Sequence, residues 1–163
     1  MKKLLYITAL IALFFIQQNA AQNRRVENKA AEVGFQKYDS YFEKNNSGLK
    51  GGVAYLVLRN QNEFDKIFGT AATMGNNSFL PDGAFDSMLV VATVKRNSSL
   101  RKYEVTQTAQ ENGKLYVRYN TVDEKPSTAT FSSPLILTVP KGKYKKIVFV
   151  ENGKEVKSVN IKK

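Results

Sequence analysis

The residues Met88-Leu89-Val90-Val91-Ala92-Thr93-Val94 constrain this chain more than any others. They are apolar on both alternating faces, apart from Thr93, and rich in β-branched side chains. A strand with one face in water alternates apolar with polar residues. One that is apolar on both faces needs cover on both, as it has in the middle of a sheet. The whole stretch 85–94, which opens with Phe85-Asp86-Ser87, is therefore expected to be the strand around which a sheet assembles, with Asp86 at its start.

The segments on either side supply its neighbours. Glu32 to Phe42 has Val33 and Phe35 at strand spacing, then Tyr41-Phe42, and reads as a strand. Asn45-Asn46-Ser47-Gly48 and Gly51-Gly52 carry turn chemistry, and Val53-Ala54-Tyr55-Leu56-Val57-Leu58 is a short apolar strand. Asn60 followed three residues later by Glu63 has the spacing of a capping box, and Phe64, Ile67 and Phe68 share one helical face. One helix is expected there, with Gly69 as its stop. Residues 70–84 contain Gly75, Asn76, Asn77 and Pro81-Asp82-Gly83 and read as a connecting loop with a short turn near Ala71-Ala72-Thr73.

Beyond the central run, Asn97-Ser98-Ser99 makes a turn and Tyr103 to Ala109 alternates. Glu111-Asn112-Gly113-Lys114 then leads into Leu115-Tyr116-Val117-Arg118-Tyr119. Asn-Gly between alternating runs is the signature of a two-residue hairpin, because both residues tolerate positive φ. The same tetrad recurs at Glu151-Asn152-Gly153-Lys154, after Lys146-Ile147-Val148-Phe149-Val150, and is read as shared turn chemistry rather than duplication. Between the hairpins, Thr121 to Ser133 is polar and loop-like. Pro134 to Pro140 is a strand bracketed by prolines, which suit strand ends or an edge, and Val159-Asn160-Ile161 could close the chain as a last strand. Repeated helical crossovers, which parallel βαβ units need, are missing after residue 70. The expected fold is mainly β (α+β): an antiparallel β-sandwich or half-barrel of seven or eight strands with one packed helix.

At the N-terminus, Lys2 and Lys3 precede an apolar run from Leu4 to Ile16 and then small and polar residues to Ala21. This is the pattern of a secretory signal peptide over residues 1–21, and the run is short of the roughly 20 residues needed to span a bilayer. Residues 22–31 read as a flexible leader and 32–163 as a single domain. The expected location is exported, periplasmic or extracellular. No cysteine adjoins the cleavage region, so a lipoprotein anchor is not expected, nor is a transmembrane span after signal removal.

Composition bounds the chemistry. With no Cys, thiol nucleophiles, disulfides and thiolate metal sites are excluded. With no His, so are Ser-His-Asp catalysis and the commonest transition-metal ligand. Removing Lys2 and Lys3 from 25 basic residues, against 14 acidic ones, leaves 23 − 14 = +9 for residues 22–163. The charge is dispersed and export argues against a nucleic-acid partner, but it suits an acidic or anionic one. Asp82 is explained by its Pro-Asp-Gly turn, and Asp123-Glu124 lacks the ligand spacing of a calcium loop. Neither a cofactor nor a metal is expected. The candidate partner-binding segment is Ser98, Ser99, Leu100, Arg101, Lys102 and Tyr103. It sets an apolar residue, two cations and an aromatic at a turn beside the central strand, and Arg and Tyr are favoured at interface hot spots.

From about Asn46 onward the order of motifs resembles the PrcB-like family, named after a subunit that stabilises a secreted subtilisin-type protease complex. The resemblance rests on several segments. They are Asn46-Ser47-Gly48-Leu49, Val57-Leu58-Arg59-Asn60-Gln61-Asn62-Glu63-Phe64, Leu80-Pro81, Phe85-Asp86-Ser87 through Val94, Tyr103-Glu104-Val105, Gly113 to Val117, and Ser133 to Lys141. Family members usually carry a glycine pair before the tyrosine matching Tyr103, where this chain has Leu100-Arg101-Lys102. The resemblance implies an exported, non-catalytic binding module that docks on and stabilises, or inhibits, a secreted or envelope protein such as a subtilisin-type protease. The charge favours a competing expectation, a cell-envelope module for an anionic glycan or lipid surface with a basic tail at Lys154, Lys157, Lys162 and Lys163. An enzyme working with two carboxylates across a cleft is a third.

Overall fold

The computed structural model describes residues 30–71 and 78–161. The expected signal peptide, nearly all of the leader, most of the turn near Ala71-Ala72-Thr73, and Lys162 and Lys163 lie outside the described residues. The described chain is mainly β, with eleven strands in mostly antiparallel sheets. In order they are β1 (Ala31–Glu32), β2 (Gln36–Lys37), β3 (Tyr41–Glu43), β4 (Val53–Leu58), helix α1 (Gln61–Ile67), β5 (Phe68–Thr70), helix α2 (Ala84–Ser87), β6 (Met88–Asn97), β7 (Arg101–Glu111), β8 (Lys114–Asp123), β9 (Phe131–Pro140), β10 (Lys146–Glu151) and β11 (Lys154–Asn160). No helix among them is long and apolar enough to cross a membrane.

The central strand is β6. It lies between β9 and β4 in a four-stranded sheet of order β2-β9-β6-β4, antiparallel throughout. Its residues divide by parity, as a two-residue period requires. Leu89 and Val91 point into a core shared with Leu135, Leu137 and Val139 of β9 and with Leu115, Val117, Tyr119, Ile147 and Phe149 of the second sheet. Val90, Ala92 and Val94 point the other way, onto Tyr38, Leu58, Phe64 and Phe68. Helix α1 therefore covers the face opposite the sandwich core. The strand begins at Met88 rather than Phe85. Residues 84–87 form one helical turn after the Pro81-Asp82-Gly83 turn, where Gly83 takes a φ of 71°, so Asp86 sits in a helical turn.

The second sheet has the order β1-β7-β8-β10-β11. Both Asn-Gly turns form as read. Asn112 and Gly113 have φ of 50° and 72°, Asn152 and Gly153 49° and 78°, so the two hairpins are β7–β8 and β10–β11. They join through β8 and β10, which pair in parallel from Lys114↔Lys146 to Tyr119↔Glu151. No helix is needed for this parallel pair, because the chain between them crosses to the other sheet as β9 and returns as β10. Tyr55 of β4 packs on Phe149 of β10 at 4.9 Å between ring centroids, linking the sheets across the core.

Three details depart from the pattern reading. The segment 32–42 is broken into β1, β2 and β3, short strands that pair with β7, β9 and β5 respectively and that raise the strand count above eight. Gly69 does not stop α1 with a left-handed residue. The helix ends at Phe68 in extended conformation, and Gly69 lies in β5, where a Cβ would stand 2.8 Å from Cζ of Phe42. β9 is not an edge strand: Pro140 ends it, as read, but Pro134 lies within it. The amide of Tyr38 donates to the carbonyl of Ile136 at 3.0 Å, so Ile136 turns its backbone polar groups toward β2, and Pro134 and Pro140 share that parity. β2 ends at Lys37, paired with Leu137, so Pro134 faces a flank that asks for no ladder donor.

Asn60 caps α1 as read, its Oδ1 accepting from the Glu63 amide at 2.9 Å, while Glu63 Oε2 reaches one residue past the cap and accepts from the Arg59 amide at 2.8 Å. Phe64 is 1% exposed and packs on Tyr41, Phe68 and Phe85. Phe64→Ala is expected to destabilise the fold by about 3–5 kcal/mol and Asn60→Ala by only about 1 kcal/mol, a ranking that urea denaturation of the two variants measures.

Candidate functional site

The segment 98–103 spans the turn between β6 and the start of β7, and its residues have different fates. Arg101 is held inward. Its Nε and Nη2 donate to the two carboxylate oxygens of Asp123 at 2.6 and 2.8 Å, and its Nη1 donates to Glu151 Oε1 at 2.8 Å. A guanidinium suits this because its planar fork matches one carboxylate with two bonds and still has donors for a second. The side chain is 12% exposed, so its charge is largely removed from water and is balanced by these two carboxylates.

Around that clamp lies a polar cluster at one end of the sandwich. Tyr103 donates through its hydroxyl to the Ser133 carbonyl at 3.1 Å, and its ring packs against Tyr119 at 5.8 Å. The Arg101 amide donates to Ser133 Oγ at 3.0 Å. Thr121 and Asn152 tie the tip of the second hairpin to β8: the Thr121 amide donates to Asn152 Oδ1 at 2.9 Å, and the Asn152 side-chain amide donates to Thr121 Oγ1 at 3.0 Å. Burial pushes the phenols of Tyr103 and Tyr119 well above their ordinary value, so both remain neutral donors. Among the described residues no buried side-chain nitrogen or oxygen is left without a hydrogen-bond partner.

The remaining members of the segment face outward or turn the chain. Ser99 is buried, and its amide donates to Asn97 Oδ1 at 3.3 Å. Ser98 is exposed, and its carbonyl accepts from the Ser127 amide at 2.8 Å. Lys102 is exposed and forms a solvated ion pair with Glu124 at 2.9 Å. Leu100 is 40% exposed, and the register partner of Lys102 is Val122, 67% exposed. The Glu124 amide donates to the Leu100 carbonyl at 2.8 Å, which continues the pairing past the strand ends and brings Leu100 alongside. The outward-facing side chains here are thus Leu100, Val122 and the Lys102–Glu124 pair. Arg101 and Tyr103 form their foundation. The sequence pattern placed Val122 in the polar loop Thr121 to Ser133, but β8 runs on to Asp123 and β9 begins at Phe131, so only pairing with β7 sets Val122 against Lys102.

A second clamp stands next to the first. Glu43 of β3 accepts from Arg96 of β6 through Nε at 2.8 Å and through Nη2, and also from Ser47 and Ser132 hydroxyls at 2.6 and 2.7 Å. Its side chain is 7% exposed. Burial works to raise this carboxyl, but the hydrogen bonds from Arg96, Ser47 and Ser132 and the charge of Arg96 outweigh it and hold the group below the usual carboxylate range. Asp123 is also held low, by its Arg101 hydrogen bonds first, against slight burial, and then by the charges of Arg101 and Lys95.

Two open grooves lie elsewhere. One, about 410 Å³, runs between Leu58, Glu63 and Ile67 on one side and Val159 and Ile161 on the other. The second, about 500 Å³, is bordered by Phe35, Tyr38, Ala84 and Thr138. Neither includes a residue of the 98–103 segment. Among the described residues no three acidic side chains converge as a cation site would require.

Asp82 and Asp86 stay on the 81–87 turn, and Asp123 and Glu124 part, one to Arg101 and the other to Lys102. Glu43 and Asp123 have folded values below their unfolded ones, so their contribution is complete above the ordinary carboxylate pKa and is lost as pH falls through the folded one. The denaturation midpoint is expected to hold from neutrality to about pH 5 and then to fall, more steeply in the wild type than in Glu43→Gln. Arg101→Ala, which strands Glu151 at 20% exposure, is expected to cost about 2–3 kcal/mol in urea denaturation, with the Asp123 arm adding little because it is solvated.

Compared with protein-family models, with curated proteins and with solved structures, this chain finds no match.

Proposed function

We propose that this chain is an exported, non-catalytic binding module that docks on another secreted or envelope protein and stabilises it. The PrcB-like resemblance of its motifs points to a subtilisin-type protease as that partner. The observation that carries the reading is the pair Leu100 and Val122, two exposed apolar side chains beside an ion pair, standing on backbone that the Arg101 clamp fixes. A rigid support lowers the ordering cost of association, so even a small apolar centre with a charged margin contributes usefully to affinity. The main carboxylates of this end are committed to arginine, which favours a structural role for them over acid–base work.

The neighbouring edge of β7 is a less favourable route. β1 pairs only with Ala109 and Gln110, leaving much of that edge open. A bulge between Val105 and Gln107 and the charges of Lys102 and Glu104 guard it, as edges are commonly guarded against strand addition.

The test is a crosslinking pulldown with the full-length chain against secreted and envelope fractions of its host. Arg101 and Tyr103 are left intact, because removing them loosens the fold. In their place, the double variant Leu100→Asp, Val122→Asp changes the surface alone. The wild type is expected to recover a subtilisin-type protease and the double variant to lose it, with thermal midpoints alike. Equal recovery by both, or no such protease with either, would sink the proposal.

A further inference from the structure

The opposite end of the sandwich carries five exposed lysines that the fold brings together. Lys141, Lys143 and Lys145 lie between β9 and β10, Lys146 opens β10, and Lys114 opens β8. The parallel pairing of β8 and β10 sets Lys114 directly beside Lys146. The Lys145 amide donates to the Gly113 carbonyl at 2.7 Å, which draws the lysine loop onto the tip of the first hairpin. The Lys145 carbonyl accepts from the Ile161 amide at 3.0 Å, bringing the end of the last strand to the same place. None of the five makes an ion pair with a described residue, although Glu111 and Asp86 lie at this end of the fold. Like charges on adjacent strands cost stability, and an arrangement chosen for folding alone would alternate the signs.

We propose that this lysine end is a binding surface for an anionic polysaccharide, independent of the docking surface around Leu100. Three observations select that occupant. Every cation of the loop is a lysine, a strongly hydrated point charge suited to a diffuse polyanion, whereas arginine's fork would suit a single planar anion. The grooves beside Leu58, Phe35 and Glu43 are not lined by these lysines, which suits a chain laid across the surface better than a small molecule held within it. A lipid surface is disfavoured because residues 141–146 and 111–114 themselves carry no exposed large apolar side chain, and Phe35, which borders a groove with Pro140, brings one such side chain beside Lys141 and not a patch. A domain resting on a bilayer would gain by offering such side chains to the headgroup boundary. Tyr144, half-buried in the middle of the loop, packs against the sandwich core and holds the loop to it.

Four of these lysines are already close in the sequence, and tertiary structure adds Lys114 to them, away from the tail. Lys154 stands at the far turn and Lys157 in the middle of β11, opposite Phe149.

The experiment measures binding of the full-length chain to a polyuronate and to heparin, with neutral dextran as the blank, across a salt series. The charge-matched comparison decides it. Lys141→Gln, Lys143→Gln, Lys145→Gln together are expected to weaken binding by about tenfold or more and to flatten its salt dependence. Lys50→Gln, Lys125→Gln, Lys154→Gln together remove the same charge elsewhere and are expected to leave both nearly unchanged. Thermal midpoints of the two triple variants guard against loss of fold. Equal weakening in both would reduce the effect to net charge and overturn the proposal. So would absence of wild-type binding at about 0.15 M salt, where exposed charges are screened beyond about 8 Å. Binding to anionic phospholipid vesicles that falls in the first variant, with no polysaccharide binding by the wild type, would overturn it in favour of a membrane surface.

Discussion

Burial of β6 on both faces is the constraint from which the architecture follows. A strand with Leu89 and Val91 on one side and Val90, Ala92 and Val94 on the other must be covered by two different layers. The second sheet supplies one layer, through Leu115, Val117, Ile147 and Phe149. Helix α1 and the short strand pair β3–β5 supply the other, through Phe64, Phe68 and Tyr41. Because the layers are made by segments before and after β6 in the chain, neither half of the molecule can complete its core alone. Folding is therefore expected to be cooperative across the whole domain, with long-range pairings such as β6–β9 setting a slow rate compared with helical proteins.

Charge is handled in opposite ways at the two ends of the sandwich. At one end, Arg96 with Glu43 and Arg101 with Asp123 and Glu151 form two clamps, and adjacent residues of β9 serve both: Ser132 bonds Glu43, while Ser133 bonds Arg101 and Tyr103. Adjacent residues of a strand point to opposite faces, so one serine pair anchors a network on each side of the same sheet. Partly buried ion pairs add little net stability compared with apolar packing, but breaking one strands a charge, so they specify a single arrangement of loop and strand. At the other end, five lysines have no ion-pair partner among the described residues, and their mutual repulsion is tolerated in an otherwise satisfied fold.

The sequence pattern made the elements legible wherever local chemistry dominates. The alternation in β7 and β8, the two Asn-Gly turns, the Asn60 cap of α1 and the unbroken apolar run of β6 all depend on residues within a few positions of one another. The places where the pattern misled have a common cause. Gly69 has the composition of a helix stop, yet its lack of a side chain serves the ring of Phe42 across a strand pair. Pro140 ends β9 as its composition suggests, but Pro134 lies inside the strand, beside a neighbour too short to need its donor. Phe85 continues an apolar run but belongs to a helical turn, because Gly83 at positive φ redirects the chain before Met88.

The sequence by itself therefore determined the class of fold, the central strand, the hairpins and the list of chemistries that a chain without His and Cys excludes. Period and turn propensity are local properties, written in adjacent residues. Tertiary structure alone decided that β8 and β10 run parallel, that Arg101 and Tyr103 turn inward while Leu100 turns out, and that Val122 joins it. It also decided that lysines from β8 and from the β9–β10 connection meet at one end. Those outcomes depend on register between segments distant in the chain. A shift of one residue would exchange every inward side chain for an outward one, and no local pattern in the Ser98–Tyr103 segment encodes which way it falls.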